Sequence, residues 1–228
     1  MYCISKLLTN RNIRHGISTI SEGNMDYRFG EKQEVVANRR GFFEKARVPV
    51  ERTVFLSVAH GTKIIEATTS LAGVGFYSRE AAIKADALIT REKNLALIIL
   101  TADCIPLILF DHANEVVGLV HISRHNTKDS FSQIVLSYMK RQFNSDMKEI
   151  KIFFGPAIKK ESYILPEYPQ GYDLISENIN QLLLKGVVGE NIFVDPTDTA
   201  KSRNFFSHYR AAREKEAEGR LATAVMLV

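Results

Sequence analysis

Three stretches of the chain place apolar residues at helical spacing. Between Glu31 and Lys45, the residues Val35, Val36, Phe42 and Phe43 share one face of a helix. Phe131, Ile134, Val135, Tyr138, Met139 and Phe143 fall at i, i+3, i+4, i+7, i+8 and i+12, and Thr127 or Asp129 is placed to cap that helix. Leu174, Ile175, Ile179, Leu182 and Leu183 make a third stripe, with Asp173 ahead of it and Gly186 as its stop. The remaining apolar runs are shorter and mostly continuous: 54–59, 87–90, 95–100, 105–110, 116–121, 152–154, 192–194 and 221–228. Continuous rather than alternating runs are expected of strands buried on both faces. Asp111-His112-Ala113-Asn114 separates two of them by a loop of hairpin length. Eight strands with three or four helices, in no regular strand–helix–strand order, predict an α+β fold: a layered α/β sandwich of mixed sheets with flanking helices. No repeat, low-complexity tract or linker interrupts the chain, so residues 1–228 are expected to form a single domain.

A hydrophobic content of 45% is enough to fill a sizeable core. No run approaches the roughly 20 apolar residues of a membrane span. The first residues lack the apolar core and cleavage site of a signal peptide, so a cytoplasmic location is expected. Two cysteines, Cys3 and Cys104, allow at most one bridge, which a reducing compartment disfavours. Cys3 reads as a small apolar filler, leaving Cys104 as a free thiol or a metal thiolate. The net charge of +4 is mild and lacks the basic stripe with aromatic platforms of a nucleic-acid binder. Its one concentration is Lys201, Arg203, Arg210, Arg213, Lys215 and Arg220, interrupted by Glu214, Glu216 and Glu218. That reads as a solvated helix face, with a local anion site for a small phosphate-bearing molecule as the alternative. Gly61-Thr62-Lys63 and Gly73-Val74-Gly75 have neither Rossmann nor P-loop spacing.

Chemistry concentrates where apolar runs end. His60 closes the run from Thr53, Cys104 sits in a polar break between two aliphatic runs, and His121 ends Val116-Val117-Gly118-Leu119-Val120. Two imidazoles and a thiolate make a three-ligand zinc set with an open fourth position, the stoichiometry of a catalytic site. Each residue alone has a structural explanation, but adjacent strand ends can bring all three to one sheet edge. Asp103 is placed to accept from an imidazole N–H or to influence the thiolate. His121 and His125 are four apart, but His121 ends a strand and no glutamate follows it, which excludes an HExxH helix. His112 is expected to face solvent, and the sequence does not place His15 or His208.

The blocks His60-Gly61, Ala85-Asp86-Ala87-Leu88-Ile89-Thr90, Leu100-Thr101-Ala102-Asp103-Cys104-Ile105-Pro106 and Gly118-Leu119-Val120-His121 follow one another in order. Gly155-Pro156-Ala157-Ile158, Asp173-Leu174 and Phe205-Phe206-Ser207-His208-Tyr209-Arg210 … Gly219-Arg220 come after them. In this order the chain resembles the YfiH-like family, also called laccase-domain proteins, multicopper polyphenol oxidases and purine nucleoside phosphorylases. The likeness runs from about His15 to the C-terminus. The resemblance implies zinc held by His60, Cys104 and His121, and places Arg39 of an Asn38-Arg39 pair near the site. It implies phosphorolysis of adenosine, inosine and methylthioadenosine, and adenosine deamination. Cys104, Asp103 and Arg39 are then the catalytic candidates. Arg39, with Arg124 or His125 as substrate-binding residues, would hold the attacking anion, and Asp103 would assist proton transfer if water attacked adenine instead. The expected partners are a purine nucleoside and phosphate, not nucleic acid or membrane, for a monomer or weak homo-oligomer.

The departures from the family pattern are local. His-Ala-Gly-Trp-Arg-Gly-Thr is replaced by His121-Ile122-Ser123-Arg124-His125-Asn126-Thr127, so two flexible glycines become Ser123 and Asn126. An aromatic platform is lost at Arg124, and the family arginine falls on His125. Thr-x-Arg-x-Gly-Gly appears as Ser18-Thr19-Ile20-Ser21-Glu22-Gly23 without its arginine, and a Cys-Thr pair becomes Asp198-Thr199. Two alternatives follow. One is a copper-dependent polyphenol oxidoreductase, for which six scattered histidines are few. The other is a metal-containing nucleoside-binding protein that has lost turnover through the altered loop.

Overall fold

The computed structural model describes residues 12–228, and Cys3 lies outside them. Eleven strands form two mixed sheets. They are β1 (Ile13–Ile17), β2 (Thr53–Ser57), β3 (Ile64–Glu66), β4 (Ile83–Lys84), β5 (Ala87–Thr90), β6 (Ala96–Thr101), β7 (Ile105–Asp111), β8 (Val116–Ile122), β9 (Lys151–Phe154), β10 (Ile192–Val194) and β11 (Leu221–Leu227). The helices are α1 (Lys32–Lys45), α2 (Arg124–Lys128), α3 (Phe131–Phe143), α4 (Leu174–Leu184) and α5 (His208–Glu214). One sheet runs β1-β11-β6-β2-β4 and the other β10-β9-β7-β8-β5-β3. Both mix parallel and antiparallel pairs: β2 lies parallel to β6, and β7 lies antiparallel to β8.

The sheets stack face to face with helices outside, giving four layers. Strand parity shows why the runs are continuous. On β7, Ile108 and Phe110 face the other sheet while Leu107 and Leu109 face α3 and α4. On β6, Leu97 and Ile99 enter the inter-sheet core, whereas Ala96 and Ile98 pack under α1 with Phe42 and Phe43. Strands such as β6 and β7 thus bury both their odd and even positions, and no polar alternation survives in them.

The three helical stripes lie where the spacing predicts them, and the eight runs are all strands with ends shifted by no more than two residues. The sequence reading misses β1, β3 and β4. β1 is an edge strand carrying Arg14 and His15, β4 has only two residues, and no residue of β3 is fully buried. Such segments bury too little to leave an apolar run. The polar loop after β7 is a hairpin turn, with Asp111 accepting from Asn114 N–H at 3.0 Å, and His112 is exposed. Among the described residues no helix is long and apolar enough to cross a membrane.

Candidate metal centre

Strand register assembles the site. Pro106 on β7 is paired with His121 on β8, so Cys104 lies just beyond the β7 end beside the same point. On the other side of β8, Ala87 pairs with Val120, and the His121 N–H donates to Asp86 C=O at 2.8 Å. By parity Asp86, Cys104 and His121 share the face that carries Leu88, Ile108 and Leu119 into the inter-sheet core. His60 reaches them from the other sheet, on the loop after β2. Its ring centroid is 4.9 Å from that of His121. One donor atom from each of His60, Cys104 and His121 lies within 4.8 Å of the others. A tetrahedral zinc would draw such atoms to roughly 3.5 Å apart, a contraction within reach of small side-chain rotations.

Asp86, fully buried, holds the arrangement together. Its carboxylate accepts the backbone N–H groups of Ala59, His60 and Gly61 at 2.8–3.3 Å, fixing the loop that carries His60. The same carboxylate lies 2.9 Å from His121 Nδ1. An ionised carboxylate only accepts, so Nδ1 carries the proton and Nε2 is left for a metal. Burial alone would raise the Asp86 pKa, but the His121 hydrogen bond and the backbone donors outweigh it and lower it. Burial alone would likewise disfavour a charged His121, yet the adjacent Cys104 sulfur and Asp86 push its pKa up to about 9. His60 moves the other way, lowered by burial and by the neighbouring His121. The backbone at His60 (φ 58°) and Asp103 (φ 82°) is left-handed, a conformation uncommon outside glycine that Asp and His enter more readily than most residues. The two kinks bracket the donors, as strained residues at functional sites often do.

Two expectations are corrected. The Asp103 carboxylate faces neither imidazole: it accepts from Thr199 Oγ1 and from Tyr209 N–H, both at 2.7 Å. It therefore ties the Cys104 turn to the C-terminal segment, and Asp86 supplies the acceptor role instead. Arg39 does not reach the donors. It is buried beneath the outer face of the first sheet, donating to Met25, Gly75 and Phe76 carbonyls, with Tyr27 and Phe55 rings each 4.3 Å from its guanidinium. Adjacency to Asn38 in sequence says nothing about which layer the side chain enters.

The altered loop is well tied down. Ser123 N-caps α2 and forms a capping box with Asn126. Neither residue adopts a left-handed backbone. Fully buried Asn126 also donates to His121 C=O at 2.9 Å and Gly61 C=O at 3.1 Å, bridging the segments that carry the two histidines. The basic tail is not one solvated face. Arg210 is buried and donates to the Thr199, Ala200, Ser202 and Phe205 carbonyls, with Glu216 on its Nε.

Two cavities open beside the donors. The first, about 300 Å³, is lined by His60, Cys104, Arg124, Tyr163, Tyr209 and Arg213 among others. Tyr163 and Tyr209 meet edge to face at 6.0 Å, and the Arg213 guanidinium lies 3.4 Å from the Tyr209 ring centroid. Arg124 pairs with Glu167 at 3.6 Å, and His125 stands 6.1 Å from His60 between ring centroids. The second, about 240 Å³, shares His60, Cys104 and His208 with the first and adds His121. Sequence reasoning missed Asp86, Tyr163 and Tyr209 as site residues. A carboxylate directly ahead of an aliphatic strand is the available signal for Asp86, the block Phe205–Arg210 is the signal for Tyr209, and nothing marks Tyr163.

The stacked mixed sheets carry a candidate His-Cys-His metal set at their strand ends. The chain belongs to the family described as multi-copper polyphenol oxidoreductase laccase, whose model matches residues 6–171. It is similar to the purine nucleoside phosphorylase YlmD of Geobacillus stearothermophilus, 28% identical over 213 residues covering 82% of this chain and 78% of that one. A purine nucleoside phosphorylase of Staphylococcus saprophyticus is 26% identical over 211 residues, covering 83% and 76%. The crystal structure of YlmD from G. stearothermophilus superimposes with a TM-score of 0.89 at 26% identity, covering 99% of this chain and 95% of that one. The Bacillus licheniformis YfiH structure shares the fold, with a TM-score of 0.84 at 22% identity over 95% and 93%.

Proposed function

We propose that this protein is a zinc-dependent purine nucleoside phosphorylase acting on adenosine, inosine or methylthioadenosine in the cytoplasm. The observation that carries the reading is the position of the His60, Cys104 and His121 donors against an aromatic-walled cleft, in a chain whose relatives bear that name. The cleft volume is at the lower bound of the roughly 300–1,000 Å³ usual for small-molecule sites. Tyr163 and Tyr209 offer the flat apolar surface a purine needs. A bound zinc ion would supply a Lewis acid at the position the protein ligands leave open. Asp86 keeps His121 in the tautomer that presents Nε2, and Asn126 fixes the spacing of the segments behind both histidines. In the reaction a phosphate oxygen forms a bond to ribose C1′ as the C1′–N9 bond breaks. The electron pair leaves with the purine, which takes up the proton given up by the phosphate. Deamination is less well served, because Asp103 is engaged with Thr199 and Tyr209 and is not free to move a proton.

The family description supports a second reading, copper-dependent oxidation of phenols. Two imidazoles and a thiolate suit copper as well as zinc. However, among the described residues the His60, Cys104 and His121 set is the one group of three or more metal-capable side chains, whereas a multicopper oxidase needs several. A catalytically impaired nucleoside-binding protein is the third reading, but the altered loop is held by the Ser123–Asn126 capping box and the Asn126 bonds to His121 and Gly61, and a cleft remains beside it. The test is chromatography of products from adenosine, inosine and methylthioadenosine with zinc-loaded protein, with metal content measured beside it. Free base formed by wild type and absent with Cys104→Ser supports the reading. Phenol oxidation that requires added copper, with no base released, overturns it.

A further inference from the structure

The basic residues expected to hold an anion are Arg39 with Arg124 or His125, yet the second cavity beside the metal donors gathers a different pair. Arg28 and Arg220 line it together with His60, Cys104 and His121. Both guanidiniums gather around one ring, 5.1 Å and 4.5 Å from the Phe29 centroid. Their side chains are 42% and 14% exposed, so one reaches solvent and the other is largely enclosed. Arg28 gives Nε and Nη2 to Asp26, at 2.6–3.2 Å, and keeps Nη1. Arg220 gives Nη1 to Gly219 C=O at 2.8 Å, with Glu218 at 3.6 Å, and keeps Nε and Nη2.

Bringing two cations together in a partly desolvated cavity is unfavourable unless something anionic joins them. Burial, and then the charge of Arg28, lower the pKa of Arg220. The nearby carboxylates answer this for Arg28, whose pKa the Asp26 hydrogen bond raises, but not for Arg220. Asp26 is bound to Arg28 on the side it already occupies, and Glu218 is shared with His208 Nδ1 at 2.5 Å. The uncommitted N–H groups therefore remain available in the cavity that His60, Cys104 and His121 also line. Guanidinium pairs of this kind match a tetrahedral oxyanion, each able to give two N–H bonds.

We infer that Arg28 and Arg220 form the phosphate subsite, so that phosphate enters from the guanidinium-lined cavity and the nucleoside from the tyrosine-lined cleft. This rests on the phosphorylase reading and deepens it: the two substrates approach His60, Cys104 and His121 from two adjoining cavities, and Arg124 belongs to the nucleoside side. The group is the right class for inorganic phosphate and for no neutral ligand.

The probe is inorganic phosphate, used in two measurements on zinc-loaded protein. The first is the KM for phosphate and for nucleoside in Arg28→Gln, Arg220→Gln and Arg124→Gln. The expected result is a rise of about 10- to 100-fold in the phosphate KM for the first two, from loss of charge-assisted bonds. Their nucleoside KM should stay within about twofold, and Arg220→Lys should recover part of the loss. An unchanged phosphate KM in both, with a rise in Arg124→Gln, overturns the assignment. The second measurement is phosphate binding by phosphorus NMR, which needs no turnover. Arg28→Lys, which keeps a partner for buried Asp26, accompanies Arg28→Gln so that misfolding, read by circular dichroism, is separated from lost binding. Wild-type binding that both Gln variants weaken supports the subsite even if no base is released, in which case the phosphorylase reading alone fails. No phosphate binding by wild type overturns the subsite.

Discussion

Asp86 and Arg39 are both buried charges whose polar atoms are taken up largely by backbone, and they do opposite work. Arg39 sits on the sheet-facing side of α1 with no carboxylate bonded to it among the described residues, wrapped by the Tyr27 and Phe55 rings and bonded to carbonyls from two loops. Burial pulls its pKa down to about 10, yet it stays a cation that joins chain segments. Asp86 lies at the end of the inter-sheet layer, and three of its N–H donors and its one imidazole belong to residues at or beside the metal donors. The difference is one of address. A charge that knits loops in an outer layer stabilises the fold, while a charge at the strand ends of two facing sheets also sets the positions of reactive groups.

Variants at or beside these two charges should separate stability from metal binding. The largest effect is expected for His121→Ala, which removes a donor and leaves Asp86 as a buried carboxylate without its imidazole. It should lose stoichiometric zinc, read by elemental analysis, and about 3–5 kcal/mol of stability, read by urea unfolding of the metal-free protein. Arg39→Met should cost about 2–4 kcal/mol by the same unfolding measurement, because several buried carbonyls lose their donor. Its zinc content should be that of wild type, and a zinc-free Arg39→Met would place Arg39 at the site after all.

A smaller effect is set by pH. The His121 pKa rises from 6.5 to about 9 on folding without metal. A protonated His121 therefore adds stability that is fully present below about pH 6.5 and is lost as pH rises through about 9. Zinc needs the neutral ring, so its affinity should climb across the same window and level off above about pH 9. Calorimetric titration in buffers of different ionisation enthalpy should show proton release on zinc binding at pH 7. No release from the histidine would contradict the Asp86–His121 pairing.

Much of this was legible because burial leaves a mark in the sequence. β6, β7, β8 and β11 are buried on both faces and read as unbroken aliphatic runs, and His60, Cys104 and His121 stand out where such runs stop. β1 and β4 left no such mark, since an edge strand with Arg14 and His15 or a two-residue strand buries too little. Asp103 reads as the supporting carboxylate because it adjoins Cys104. At φ 82° its backbone turns the side chain towards Thr199 and Tyr209, which a linear reading does not foresee. Asp86 depends on pairing β5 with β8 in one register, and a sequence does not print register. Arg28 and Arg220 are 192 residues apart (220 − 28) and meet only around Phe29.

The central claim is that Asp86, by orienting His121 and holding the His60 loop, builds the metal centre. Its most direct test is the zinc dissociation constant of Asp86→Asn beside wild type and Arg39→Met, measured by competition with a chelator at pH 7.5. The account predicts binding about 10- to 100-fold weaker for Asp86→Asn and unchanged for Arg39→Met. Wild-type affinity in Asp86→Asn, or an equal loss in both variants, would contradict it.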